Sequence, residues 1–192
     1  VRYAIEESGS GFKSQEVETV LHSSHRSYRP VDIKMGPDGA VYIVDWYNPI
    51  IDHGEVDFHH PLRDKSHGRI WRLTAIDQPL LDWPVIAEAT RDELFTHLTA
   101  PEQYTRTQAN RELVRRKVSR ADIDTWIGTL EATAPGYDHH LLEALWLSTA
   151  LNQKSDGLGD GPLRSADPRI RAAAVRAVGR TAEGLSHLAT AV

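Results

Sequence analysis

The sequence predicts a segregated α+β chain, with sheet structure at its start and helices at its end. Two observations carry that expectation. Apolar residues alternate with a period of two up to about residue 73, and from about residue 90 they recur with a helical period. A third observation refines each half. Short strand-like runs divided by turn signals suggest a propeller or a sandwich, and an alanine-centred motif that returns after 35 and then 30 residues marks a stacked α-solenoid.

The strands are read in order. "VRYAI" alternates, "SGSGF" supplies a turn, and "KSQEVETVL" alternates again with Val17, Val20 and Leu21 apolar. In "RPVDIKMGPDGAVYIVDW" the residues Val31, Ile33 and Met35 alternate, and Val41, Ile43 and Val44 follow a turn at Gly36-Pro37-Asp38-Gly39. Pro37 presets φ near −65° and Gly39 tolerates positive φ, so this turn has a mechanism. "GRIWRL" closes the strand region. These runs place a β domain at residues 1–75, and "TAIDQPLLDWPVI" with its two prolines reads as a short stiff connector at 76–89.

Residues 90–192 form the helical part. Thr90-x-x-Glu93 and Ser119-x-x-Asp122 look like capped helix starts, Pro101 suits a first turn, and Asp167-Pro168 opens "RIRAAAVRAVG" with Gly179 as its stop. "GYDHHLLEALWLSTALN" is too apolar for a surface helix and should be buried on more than one side. Arg106, Ala109 and Leu113 recur as Leu141, Ala144 and Ser148, then as Arg171, Ala174 and Val178. "SDGLGDGP" at 155–162 should be a mobile loop between repeats.

Composition narrows the function. A net charge of −5 from 22 basic and 27 acidic residues leaves no footprint for nucleic acid or an anionic membrane. No apolar run reaches the roughly 20 residues of a membrane helix. With no cysteine, these residues can form no disulfide, thiolate zinc site or covalent haem link. The chain opens within a strand pattern and stops within a helical one, so we expect a piece of a longer protein.

The chemistry concentrates in "DWYNPIIDHGEVDFHHPLRDKSHGRIWRL", residues 45–73. Connections longer than about 12–15 residues are usually functional or disordered, and the aromatic and aliphatic content here argues for order. His53, Asp57, His59, His60 and His67 are metal-capable, and Asp45, Glu55 and Asp57 suit a hard cation, but the spacing fits no ligand motif and we assign no metal. A structural reading stands beside these, with Asp45 and Asp64 capping turns and Arg63 and Arg69 pairing with carboxylates. The expected outcome is mixed, with Asp45 and Asp64 satisfied internally and His53, Asp57 and Arg69 nearer an open face. No nucleophile–base pair is recognisable, so catalytic residues are not assigned. In the helical half, "RELVRRKVSR" reads as a solvated basic surface and His139-His140 as partly buried polar residues.

"RPVDIKMGPDGAVYIVDWYNPIIDHGEVDF" with "RDKSHGRIWRL", and more loosely "PEQYTRTQANREL" and "YDHHLLEALWL", closely resembles a bacterial family abundant in planctomycetes. Its members are described as membrane-bound dehydrogenase-like or haem-binding proteins. His60 and Lys65 depart from the family pattern, where Asp and His are more usual. The resemblance implies a partial β-propeller of the quinoprotein sugar dehydrogenase kind, followed by an α-solenoid of HEAT-like helical repeats. It implies an exported, periplasmic or cell-envelope parent that oxidises a sugar or polyol, with the fragment inactive alone. Pyrroloquinoline quinone and calcium are the cofactors it suggests, with haem c in a further C-terminal domain. It makes Arg69, then His53 and Asp57, the cofactor-binding candidates. The competing class is a non-catalytic interaction or scaffold module that meets a protein partner through its helical repeats.

Overall fold

The computed structural model describes residues 1–8, 11–50, 59–153 and 157–180. Its contacts divide the chain into two compact units, residues 1–36 with 40–80 and residues 37–39 with 81–192. Each is described by itself.

The first unit holds two antiparallel sheets. β1 (Arg2–Ser8) pairs with β2 (Gly11–Val17) from Arg2↔Val17 to Ser8↔Gly11. β3 (Pro30–Met35), β4 (Val41–Asp45) and β5 (Arg69–Leu73) form a second sheet in the order β3-β4-β5. Gly36 N–H donates to Ala40 O at 2.8 Å, and Gly39 takes φ 76°, as the turn between β3 and β4 demands. The register shifts between Pro30 and Asp32, where proline cannot donate to the ladder. Directly opposed residues share a face, so Asp45 with Arg69, Ile43 with Trp71, and Val41 with Leu73 lie on one side of β4 and β5. Ile43 and Asp45 are buried there, whereas Val44 and Ile70 on the other face are exposed.

The second unit holds six helices among the described residues. They are α1 (Arg91–His97), α2 (Gln103–Arg115), α3 (Arg120–Ile127), α4 (Tyr137–Ala150), α5 (Asp160–Leu163) and α6 (Pro168–Val178). Thr90 with Glu93 and Ser119 with Asp122 make reciprocal capping boxes, and Asp167 accepts from Arg169 N–H ahead of Pro168. One core cluster contains Leu94, Phe95, Leu113, Ile123 and Trp126, with Phe95 and Trp126 stacked at 5.5 Å. The other contains Leu142, Leu145, Leu158, Ala177 and Val178. α4 belongs to both, giving Ala144 and Leu147 to the first and Leu142 and Leu145 to the second. Burial on several sides explains its weak amphipathicity.

The predicted partial propeller and HEAT-like solenoid are overturned. A propeller is built from four-stranded blades around a channel, and here the sheets have two and three strands. A solenoid stacks equal repeats, whereas these helices run 7, 13, 8, 14, 4 and 11 residues over two distinct core clusters. What recurs is a residue's role. Arg106 Nη1 donates to Ala100 O and Pro101 O, and Arg171 Nη1 donates to Ser165 O and Ala166 O. Ala109, Ala144 and Ala174 are fully buried at equivalent positions. Of the stretch expected to be a mobile loop, residues 157–162 are described; Leu158 and Pro162 are buried there, and Asp160–Pro162 open α5.

Candidate functional site

The site is built where β4 ends and β5 begins, because the register sets Asp45 opposite Arg69. Asp45 Oδ1 accepts from the backbone N–H groups of Arg29 at 2.8 Å and Tyr47 at 3.0 Å. Its Oδ2 accepts from Arg69 Nε and Trp71 Nε1, both at 2.9 Å. The Asp45 side chain is 0% exposed. Burial pushes its carboxyl up, but the bonds from Arg29, Trp71 and Tyr47 and the Arg69 charge outweigh that and hold it below the ordinary value.

Arg69 is shaped by the same carboxylate. Its Nη2 lies 2.8 Å from Asp45 Oδ2 as an ion-pair contact, but the N–H directions miss hydrogen-bond geometry. The guanidinium lies 4.2 Å from the Tyr47 ring centre and 5.1 Å from that of Trp71. Nη1 makes no hydrogen bond among the described residues, and the side chain remains 27% exposed.

Tyr47 anchors the aromatic side of the site. It adopts φ 54°, a left-handed conformation uncommon for a bulky residue. His25 stacks on its ring at 5.5 Å and His67 meets it edge-on at 5.9 Å. Asp64 accepts from Ser66 N–H at 2.9 Å and His67 N–H at 3.0 Å, and its Oδ2 is 2.8 Å from His67 Nδ1. This contact favours a proton on Nδ1. The Ser66 backbone bond first, then the His67 contacts, lower the Asp64 carboxyl to about 2 despite some desolvation.

Asp45 and Asp64 are thus satisfied internally, while Arg69 is engaged through Nε and Nη2 and keeps part of its side chain exposed. Arg63 lies over Trp46 at 5.7 Å, and Arg72 is 6.0 Å from the Tyr42 ring, on the sheet face opposite Arg69. His60 Nδ1 accepts from Leu62 N–H. His53, Glu55 and Asp57 lie outside the described residues. Among the described residues no three metal-capable side chains cluster. The contributions of Arg29 and His25 escaped the sequence reading. Their signal was the polar, aromatic run "HRSYRP" leading into β3; the β3–β4 pairing brings Arg29 beside Asp45, and His25 stacks on Tyr47.

Residues 1–77, which contain the five strands found among the described residues and the Asp45–Arg69 centre, match the family model of a domain of unknown function, DUF7133. No curated protein and no solved structure matches the chain. No helix among the described residues is long and apolar enough to cross a membrane.

Proposed function

We propose that the Asp45–Arg69 centre is the ligand-facing part of an exported dehydrogenase-like protein that oxidises a sugar or polyol, with Arg69 nearest the ligand. The observation that carries this reading is the preparation of one guanidinium. A buried carboxylate holds two of its nitrogens, Tyr47 and Trp71 fix its plane, and Nη1 is left unbonded among the described residues. Such a group contacts a ligand with little reorganisation. The left-handed Tyr47 beside it fits a site where local strain is retained for a purpose.

The resemblance supplies the chemistry, with an anionic quinone accepting the electrons when bound. Arg69 Nη1 fits one charge-assisted contact to a quinone carboxylate. Calcium does not fit the described loop carboxylates, because both oxygens of Asp45 and of Asp64 already face donors. Haem c finds no attachment in a chain without cysteine and belongs to the proposed remainder of the parent. Export to the periplasm or cell envelope rests on the same resemblance.

Arg69→Lys in the intact parent tests the proposal. Lysine keeps a cation for Asp45 but loses the planar fork. Sugar-dependent reduction of an electron acceptor, with quinone supplied, should need about tenfold more quinone for half-maximal rate. Activity that falls only in proportion to folded protein would return Arg69 to a structural role.

A second reading, a non-catalytic interaction or scaffold module, is favoured by apolar side chains exposed on both sheets. Ile33 and Met35 stand uncovered on β3, and Tyr3, Ile5 and Phe12 share one face of the β1–β2 hairpin. Exposed apolar patches mark protein contacts. A parent that shows no sugar-dependent reduction with quinone and calcium present supports this reading instead.

A further inference from the structure

The helical unit contains a cleft of about 760 Å³ between α4 and α6. Small-molecule pockets occupy roughly 300–1,000 Å³. Four alanines (132, 134, 166 and 173) line it and leave room, while Tyr137 and Trp146 supply aromatic surface. The His139 and Trp146 rings meet in a T-shaped contact at 6.1 Å, which supports the indole from one side.

The polar atoms of the cleft are of two kinds. Asp167 and Arg169 are spent on each other at 2.8 Å. Asp138 Oδ2 accepts from Ser165 Oγ, but Asp138 Oδ1, Tyr137 Oη and Trp146 Nε1 make no hydrogen bond among the described residues. One acceptor, one donor and one hydroxyl able to do both are therefore uncommitted beside two aromatic side chains. The Asp138 charge is offset by the Ser165 donor and by its place in the first turn of α4, where the helix dipole favours an anion. An anionic ligand would meet that carboxylate, and a cation would find its charge already partly compensated. A neutral ring with one C–H face and several hydroxyls matches both the aromatic surface and the uncommitted atoms.

We propose that this cleft binds a neutral pyranose, with Asp138 Oδ1 accepting from ring hydroxyls and Tyr137 Oη and Trp146 Nε1 completing the contacts. The site lies in the helical unit and does not depend on the role given to Arg69.

The test is a ¹H–¹⁵N NMR titration of the whole 192-residue chain with D-glucose, D-galactose and methyl α-D-mannopyranoside, and with choline as a cationic control. At least one sugar should give saturable shifts confined to residues 132–146 and 165–173, with a midpoint on the order of 1 mM. Asp138→Asn should weaken that binding about tenfold, the scale of a hydrogen bond to a charged group. Tyr137→Phe, which removes a single oxygen and keeps the ring, decides the matter if Asp138→Asn fails to fold. The proposal is overturned by the absence of saturable shifts from all three sugars, by saturation with choline at lower concentration, or by wild-type affinity in a folded Tyr137→Phe variant.

Discussion

Four donors converge on Asp45 from three stretches of chain: Arg29 ahead of β3, Tyr47 just after β4, and Arg69 with Trp71 on β5. A carboxylate is the one side chain that accepts at both ends while balancing a guanidinium, so a neutral replacement leaves buried donors facing nothing. Asp64 works differently, at the surface, by folding its own turn around Ser66 and His67. Its carboxyl sits near 2 in the folded chain against an ordinary 3.8. A lowered value means that the stabilisation is whole above the unfolded value and is lost as pH falls toward the folded one. The turn should therefore hold at neutral pH and loosen between about pH 4 and pH 2. An NMR acid titration should place the Asp64 midpoint near 2; a midpoint near the ordinary value would refute the turn geometry.

At the scale of elements, the starts of α1, α3 and α6 and the turn at Gly36–Gly39 were legible because their determinants lie within four residues of one another, whereas Pro101 falls two residues ahead of α2 rather than in its first turn. Thr90 with Glu93 and Ser119 with Asp122 are written in the sequence as plainly as in the structure. The number of strands in a sheet is not local, and alternation looks the same in a hairpin as in a propeller blade. That is why the β half read correctly as strands and wrongly as a blade. The alanine register was also legible, since Ala144 and Ala174 are fully buried, but a shared residue position does not require equal helices. Ala144→Leu and Ala174→Leu should each overpack the interior by roughly 1–3 kcal/mol. Urea denaturation of the two variants checks this, and unchanged midpoints in both would mean that the sites have room to spare.

The whole molecule divides into two units whose interiors are made of different things. The helical unit rests on two apolar clusters joined by α4 and on the Arg106–Glu143 pair at 2.9 Å between α2 and α4. The β unit leans on a polar centre, with Ile43 and Ala40 as its buried apolar residues among those described. The candidate site was only partly legible for this reason. Asp45, Arg69 and the loop carboxylates stood out by type, but their partnership depends on a register 24 residues apart in sequence. Removing a buried partner from an ion pair costs about 3–5 kcal/mol. Asp45→Ala should therefore lower a transition of the β unit in calorimetry while amide exchange in α2 and α4 stays slow. Loss of protection in those helices at the same temperature would show a single cooperative block.

The pairing of Asp45 with Arg69 also has a use for protein engineering. It fastens together the two stems of the connector between β4 and β5, so the cost of bringing those stems together is met by the sheet rather than by the connector. Residues between the stems can therefore be exchanged as a cassette. A library randomised there, with positions 45, 47, 69 and 71 kept, should yield folded members carrying new recognition loops on an unchanged frame.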